Sequence, residues 1–138
     1  MTRKVKGWLL LLLSLATIVL MLLPYGAVLE FGFMGESGQI EYVRHTYSYF
    51  SLTPFGYADF GPLLSAVLTC VLAALALWFL LRGRGIRAIR TVSVLALVAS
   101  LLPLVAHICG APVYSVLGGV ISVLLLAISI LAFRTSNK

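Results

Sequence analysis

Four long apolar runs, none containing a charged side chain, constrain this chain more than any other feature. They cover residues 7–29, 62–81, 91–109 and 112–133. A helix needs about 20 predominantly apolar residues to cross a hydrocarbon core roughly 30 Å thick. Each run therefore predicts one transmembrane helix, and residues 1–138 are predicted to form a single membrane domain.

The composition excludes an ordinary soluble domain. The chain is 62% hydrophobic and 10% charged, with a mean hydropathy of +1.11, whereas soluble domains average roughly 45–50% apolar and about 25% charged residues. The net charge of +6 does not indicate nucleic-acid binding, because the basic residues flank apolar runs instead of belonging to a foldable soluble module. The lipid bilayer is the predicted solvent.

The charges are segregated along the chain. All four acidic residues lie between Glu30 and Asp59, while nine of the ten basic residues lie outside that stretch. Basic residues concentrate on the cytoplasmic side of membrane proteins. The basic loop 82–90 and both termini are therefore predicted to be cytoplasmic, and the segment 30–61 extracytoplasmic. The nine basic residues are Arg3, Lys4, Lys6, Arg82, Arg84, Arg87, Arg90, Arg134 and Lys138.

The first run has a second interpretation as a secretory signal peptide, since Arg3, Lys4 and Lys6 resemble a basic leader. The run is long for such a leader, however, and no small-x-small cleavage site follows it. Pro24 comes instead, and it is expected to kink or end the helix near the outer interface. An uncleaved anchor is the favoured interpretation.

The segment 30–61 is rich in aromatic residues, nine of which lie between Phe31 and Phe60. Residues 40–50 contain many strand formers, residues 27–33 are compatible with an extended strand, and Gly35 and Gly38 favour a turn between them. This pattern predicts a β-hairpin packed on the outer end of the bundle. An amphipathic helix or an irregular loop is the alternative.

A short interfacial helix is predicted from Thr53 to Pro62, with Thr53 as its N-cap. Phe55, Tyr57 and Phe60 would then enter the membrane interface. Anchoring is the favoured role of these three aromatic residues, and recognition of a ligand or partner is the alternative.

Three polar residues are candidates for a functional role: His107, His45 and Glu41. His107 is an ionisable residue within a predicted span, which suggests function by default. It lies near the outer end of that span, where a neutral histidine can bond a backbone carbonyl or interfacial water. The two histidines and the scattered carboxylates have no recognised ligand spacing, so no metal, cofactor or catalytic site is predicted.

The fourth run carries small residues at helical spacing. Ser115 and Gly119 are four apart, as are Gly118 and Ser122, and Ser115, Ser122 and Ser129 repeat at seven. Such faces let helices approach closely in lipid. Packing within one bundle is the favoured interpretation, with a homo-oligomer or docking to a larger membrane protein as alternatives. Cys70 and Cys109 are interpreted as buried thiols, with a disulfide between them as the alternative.

Four spans, internal termini, a large first outer loop and a very short second one resemble the tetraspan layout of claudin-like proteins. The first outer loop lacks the Trp and the paired Cys of that family, so the likeness is one of topology. The chain also resembles small four-helix membrane proteins of bacteria, which implies a bacterial cytoplasmic membrane.

Together these features predict an all-α membrane protein. Its fold is an antiparallel bundle of four transmembrane helices, with a small extracytoplasmic cap of a β-hairpin and a short helix. The favoured function is a non-enzymatic scaffold or accessory subunit of a larger membrane complex. A small oligomeric transporter or channel component is the alternative, although none of the four runs carries the acidic residues that transport sites use.

Overall fold

The computed structural model describes residues 2–36, 38–51, 60–109 and 115–136, with the backbone alone at Arg3 and Ser136. Within these residues the chain forms four helices and a two-stranded antiparallel hairpin. The helices are α1 (Arg3–Leu22), α2 (Gly61–Arg82), α3 (Ile86–Ile108) and α4 (Val116–Ser136). The strands are β1 (Ala27–Met34) and β2 (Ile40–Tyr47). The predicted combination of four helices with a hairpin between the first two is confirmed.

The four helices are long and apolar enough to cross a membrane, consistent with a multi-pass membrane protein. Only 28% to 39% of the residues in each span are buried inside the protein, so most of the apolar side chains face outward. Large aliphatic residues cover this outer surface on every helix; examples are Leu12, Val19, Leu64, Val71, Leu95, Val98, Val123 and Ile130.

Hydroxyl groups lie in the interior instead. Among the described side chains, nine serines and threonines are buried between the helices, and most of them donate to a carbonyl of their own helix, one turn earlier. This pairing satisfies a polar group that water cannot reach. The nine residues are Ser14, Thr17, Ser65, Thr69, Ser93, Ser100, Ser115, Ser122 and Ser129. An apolar exterior around a hydroxyl-containing interior is the arrangement that a lipid solvent favours.

The helices pack in a ring, in which each contacts the next and α1 also contacts α4. Lys6, near the start of α1, donates from Nζ to the carbonyl of Arg134 near the end of α4, at 3.3 Å. Ser122 in α4 donates to the Ser100 hydroxyl in α3, at 3.1 Å. Neighbouring helices therefore run in opposite directions.

The bundle has two chemically different ends. One end contains the start of α1, the link between α2 and α3, and the end of α4, and it collects the basic residues of those segments. We call it the arginine end. The opposite end contains the end of α1, the start of α2 and the start of α4, and the hairpin begins there. We call it the hairpin end.

The link at the arginine end is shorter than the predicted loop 82–90. It consists of Gly83, Arg84 and Gly85, and α3 already begins at Ile86, before the predicted span 91–109. Gly83 (φ 67°) and Gly85 (φ 100°) have the left-handed backbone that glycine adopts without steric cost. The two glycines reverse the chain, and the arginines that follow belong to a helix because arginine is a good helix former.

The first helix ends earlier than the predicted span 7–29. Leu23 is extended (φ −66°, ψ 138°) because the ring of Pro24 disfavours the helical conformation for the residue before it. Residues 27–29 of the predicted span therefore lie in β1. The second helix extends the predicted span 62–81 by one residue at each end.

The fourth helix ends at Ser136, three residues beyond the predicted 112–133. The predicted start of that span lies outside the described residues. So does most of the predicted short helix from Thr53, including Phe55 and Tyr57. Phe60, which precedes α2, is exposed.

The hairpin pairs Ala27 with Tyr47 at its base and Met34 with Ile40 at its tip. The turn lies where the glycines predicted it. Gly35 N–H donates to the Gln39 carbonyl at 2.9 Å, and Gly38 adopts a φ of 74°. β2 ends at Tyr47, three residues before the end of the predicted strand-forming stretch 40–50, and the chain then turns into the bundle.

Candidate functional site

The base of the hairpin is fixed to the bundle by a buried tyrosine. Tyr49 is 1% exposed, and its backbone N–H donates to the Met21 carbonyl in the last turn of α1, at 3.0 Å. Its ring lies directly on Gly26, where an added Cβ would be 2.7 Å from Tyr49 Cδ1. Only a glycine fits at that distance. The two chain segments that enter and leave the hairpin are thus packed against each other and against α1.

The fourth helix completes this attachment. The Ser115 hydroxyl donates to the Gly26 carbonyl at 2.6 Å and accepts from the backbone N–H of Gly118 at 2.9 Å. A Cβ at Gly118 would lie 3.1 Å from the Tyr49 hydroxyl oxygen. Two glycines and one serine therefore make room for the tyrosine side chain. We call Met21, Gly26, Tyr49, Ser115 and Gly118 the mount of the hairpin.

The distal half of the hairpin extends away from the bundle. Ala27, Val28 and Leu29 at its base are buried, whereas Gly32 to Met34 and residues 40–46 are exposed on both faces of the sheet. A hairpin lying flat on the bundle would have one covered face. The predicted packing of the hairpin over the bundle end therefore applies to its base alone.

Large apolar side chains are exposed on this distal half. Met34 is 84% exposed, Tyr42 70%, Ile40 59% and Phe33 56%. Tyr42 packs beside Gly32, with Cε1 3.5 Å from the position of a Gly32 Cβ. On the opposite face, Phe33 neighbours the Phe31 ring at a centroid distance of 6.4 Å. We call Phe33, Met34, Ile40 and Tyr42 the apolar tip.

The predicted polar candidates do not converge. His45 lies on the hairpin, with its ring 5.8 Å from Phe31 and 6.5 Å from Tyr47, and Glu41 lies opposite Phe33 near the tip. In an extended strand four residues span about 13 Å, so Glu41 and His45 share a face without meeting. Among the described residues no three His, Cys, Asp or Glu side chains are grouped as metal ligands.

His107 lies in the last turn of α3, where its side chain is exposed at the hairpin end. Cys70 and Cys109 are both exposed and free, in contrast to the predicted burial, since each faces outward from its helix. None of these three residues contributes to the mount.

The predicted small-residue face of α4 lies against the other helices. Ser115, Gly118, Ser122 and Ser129 are buried, and Gly119 is half-buried beside them. Ser122 reaches Ser100 in α3, Ser115 reaches Gly26, and Ser129 bonds within its own helix. The described structure therefore uses this face inside one bundle.

Sequence reasoning missed the mount, although the sequence holds one signal for it. A turn at residues 35–38 sets the register of the two strands, and that register brings Gly26 close to the residues that follow Tyr47. A glycine next to an aromatic residue at the base of a hairpin indicates close packing. The contact with Ser115 had no such signal, because it joins residues 89 positions apart.

We compared the chain with protein-family models, curated proteins and solved structures, and none of the three comparisons gave a match. Function must therefore be inferred from the geometry of the chain itself. Its main features are an apolar tip at one end, a rigid mount beneath it, and a concentration of basic residues at the other end.

Proposed function

We propose that this protein is a non-enzymatic accessory subunit or scaffold of a larger membrane complex, and that its hairpin is the docking element. The observation that carries the proposal is the exposed apolar tip on a hairpin whose base is buried and hydrogen-bonded to the bundle. An exposed cluster of large apolar side chains on a folded element is typical of an interaction surface.

The hairpin also offers backbone groups to a partner. A two-stranded sheet has two open edges, and each edge presents unpaired N–H and C=O groups. A partner strand can add to such an edge while its side chains contact the apolar tip. An isolated hairpin is marginally stable in water, so an added strand would also stabilise the distal half.

The topology that goes with this function places the hairpin outside a bacterial cytoplasmic membrane and both termini in the cytoplasm. The support is the charge distribution. Eight of the ten basic residues lie at the arginine end. They belong to α1, the α2–α3 link, the first turns of α3 and the ends of α2 and α4. The four acidic residues lie between Glu30 and Asp59. The positive-inside rule orients such a bundle with the arginine end inward.

A transporter or channel component is the second candidate from the sequence, and the interior of the bundle gives it little support. Leu10, Leu72, Ile89, Leu125 and Ile128 are among its fully buried side chains. They fill the space between the helices, so a pathway would have to form between several copies of the chain.

Crosslinking from the hairpin tests the proposal. A photo-activated amino acid would replace Tyr42 at the apolar tip in the full-length protein, in its own membrane. We expect a crosslink to one defined larger membrane protein. The matched control carries the same amino acid at Val98, which is 54% exposed on the outer surface of α3, and should crosslink mainly to lipid.

A second variant separates specific docking from mere proximity. Met34→Ser, on the same face of the hairpin as Tyr42, should remove most of the crosslinked product in the Tyr42 crosslinking background, while the amount of protein in the membrane stays the same. A crosslink to a second copy of this chain alone would favour the homo-oligomer instead. Equal crosslinking with and without Met34→Ser would contradict a docking role for the apolar tip.

A further inference from the structure

A groove at the arginine end runs along the outer surface of α3 beside the end of α4. Its volume is about 410 Å³, and its lining on α3 consists of residues spaced by one turn of helix. Phe133 from α4 forms the other wall. The lining residues are Arg87, Arg90, Thr91, Val94, Leu95 and Phe133.

Arg90 is a half-buried cation of this groove. Its Nε–H donates to the Ala132 carbonyl at 3.4 Å, and its Cζ lies 5.2 Å from the centre of the Phe133 ring. Its Nη2 is buried and has no hydrogen-bond partner among the described residues. A guanidinium has five N–H donors, and the two on Nη2 of Arg90 are left unpaired among the described residues. A half-buried cation in this condition favours an anionic partner.

No acidic side chain of the described residues lies at this end to supply that partner. The four acidic residues of the chain are Glu30, Glu36, Glu41 and Asp59, and all of them belong to the segment between α1 and α2, whose two ends lie at the hairpin end. The groove also contains Arg87, one turn before Arg90. Two arginines far from the three described acidic side chains, Glu30, Glu36 and Glu41, favour an anionic partner from outside the described residues.

The polarity of the groove changes along the helix axis. The arginines and Thr91 line the portion nearest the arginine end, while Val94 and Leu95 line the portion that lies a helical turn further into the apolar span. From Arg90 to Leu95 the distance is about 7.5 Å at the rise of an α-helix. A phospholipid has the matching order of groups, with a charged phosphate followed by apolar acyl chains.

We propose that this groove binds one anionic glycerophospholipid. Its phosphate oxygens accept hydrogen bonds from the Arg87 and Arg90 guanidinium groups, which are suited to planar, two-point contacts with phosphate. One acyl chain lies along Val94, Leu95 and the Phe133 ring. A zwitterionic lipid is disfavoured because its own ammonium group offsets the phosphate charge.

Lipid retention measured by native mass spectrometry tests this site. Delipidated full-length protein is mixed with phosphatidylglycerol or with phosphatidylcholine of the same acyl chains. We expect one phosphatidylglycerol to be retained, with an affinity at least about fivefold above that of phosphatidylcholine, the factor that corresponds to about 1 kcal/mol per arginine near an anionic lipid. Arg90→Gln should remove this preference.

Arg82→Gln is the matched control, because Arg82 has the same charge at the same end but stacks on Trp78, outside the groove, with Cζ 4.8 Å from the ring centre. It should keep the preference. If Arg82→Gln and Arg90→Gln weaken retention equally, the attraction is diffuse and the site is contradicted. Equal retention of the two lipids by the unaltered protein would contradict it as well.

Two further experiments, a substitution at Val94 and competition by inorganic phosphate, test the site if Arg90→Gln folds poorly. Val94→Trp fills the apolar portion of the groove without changing any charge, and it should reduce phosphatidylglycerol retention. Unchanged retention would contradict the proposed place of the acyl chain. An excess of inorganic phosphate should displace little phosphatidylglycerol, whereas full displacement would indicate a site for free phosphate. None of these outcomes depends on the hairpin.

Discussion

Gly26 shows how a single missing side chain determines the position of the hairpin. The ring of Tyr49 occupies the space that any Cβ at this position would need, at 2.7 Å from Cδ1 and 2.9 Å from Cε1. The tyrosine cannot retreat easily, because it is buried and its backbone is bonded to Met21. The close approach of the two segments therefore depends on glycine.

Gly26→Ala is expected to destabilise the protein by about 1–3 kcal/mol, the usual cost of adding volume to a packed interior. Thermal unfolding of the purified protein in mild detergent would measure the change. Gly7→Ala is the control, because its Cβ would meet Leu80 Cδ1 at 3.0 Å, the end of a side chain that can move. Equal stability of the two variants would show that Tyr49 is not held as described.

Ser115 connects α4 to the base of the hairpin through one hydroxyl group, which donates to the Gly26 carbonyl and accepts from the Gly118 N–H. Ser115→Ala leaves both groups without that partner, and the expected loss is about 1 kcal/mol. Ser129→Ala, whose hydroxyl bonds only the Leu125 carbonyl of its own helix, should cost less. Thermal unfolding in mild detergent would compare the loss of stability in the two variants. A larger loss for Ser129→Ala than for Ser115→Ala would contradict the role of Ser115.

At the scale of one element, the hairpin combines a fixed base with an open distal half. Its turn depends on Gly38, whose left-handed backbone costs other residues about 1–2 kcal/mol. Apart from its chain neighbours, no described residue has an atom within 4 Å of a Cβ at that position, so the effect of a substitution there is conformational and not steric.

Gly38→Ala is therefore expected to open the distal half of the hairpin without affecting the helices. Amide hydrogen exchange of β1 and β2 should accelerate about 5- to 30-fold, the factor for 1–2 kcal/mol, while exchange in α2 and α3 is unchanged. Gln39→Ala, at an exposed neighbouring position, should leave exchange unaltered. Faster exchange in all elements would mean that the hairpin and the bundle unfold together.

The sequence predicted some elements better than others, for physical reasons. Glycines at 35 and 38 and strand formers after them are local signals, and the hairpin register follows from the turn. The start of α3 was predicted at residue 91, five residues after its observed start at Ile86. An apolar run marks only the part of a helix that lies in the hydrocarbon core, and polar turns can extend the helix beyond it. Arg87 and Arg90 belong to such turns, so the groove that they line had no signal in the hydropathy pattern.

At the scale of the whole molecule, the fold places the segregated charges at opposite ends of the bundle, and this separation predicts its orientation in the membrane. Antiparallel packing brings the basic residues of three separate segments to one end, and the acidic segment lies between the two helix ends at the other. The positive-inside rule then predicts that the arginine end faces the cytoplasm. This prediction depends on the arrangement of all four helices. It can be tested without any assumption about function.

Cysteine labelling in intact cells tests the orientation. The native thiols must first be removed by Cys70→Ala and Cys109→Ala, which should fold normally because both side chains are exposed. In this background Gln39→Cys places a thiol at the hairpin turn, and Thr2→Cys places one at the arginine end without removing a basic residue; both positions are exposed.

A maleimide that cannot cross membranes should label the cysteine at position 39 in intact cells and the one at position 2 only after the membrane is permeabilised. The reason is the free energy of moving charge: the arginine end would have to bring its cluster of cations through the hydrocarbon core to reverse the orientation. Labelling of both positions in intact cells would mean that the bundle inserts in two orientations. Labelling of position 2 alone would place the hairpin in the cytoplasm and overturn the proposed extracytoplasmic docking.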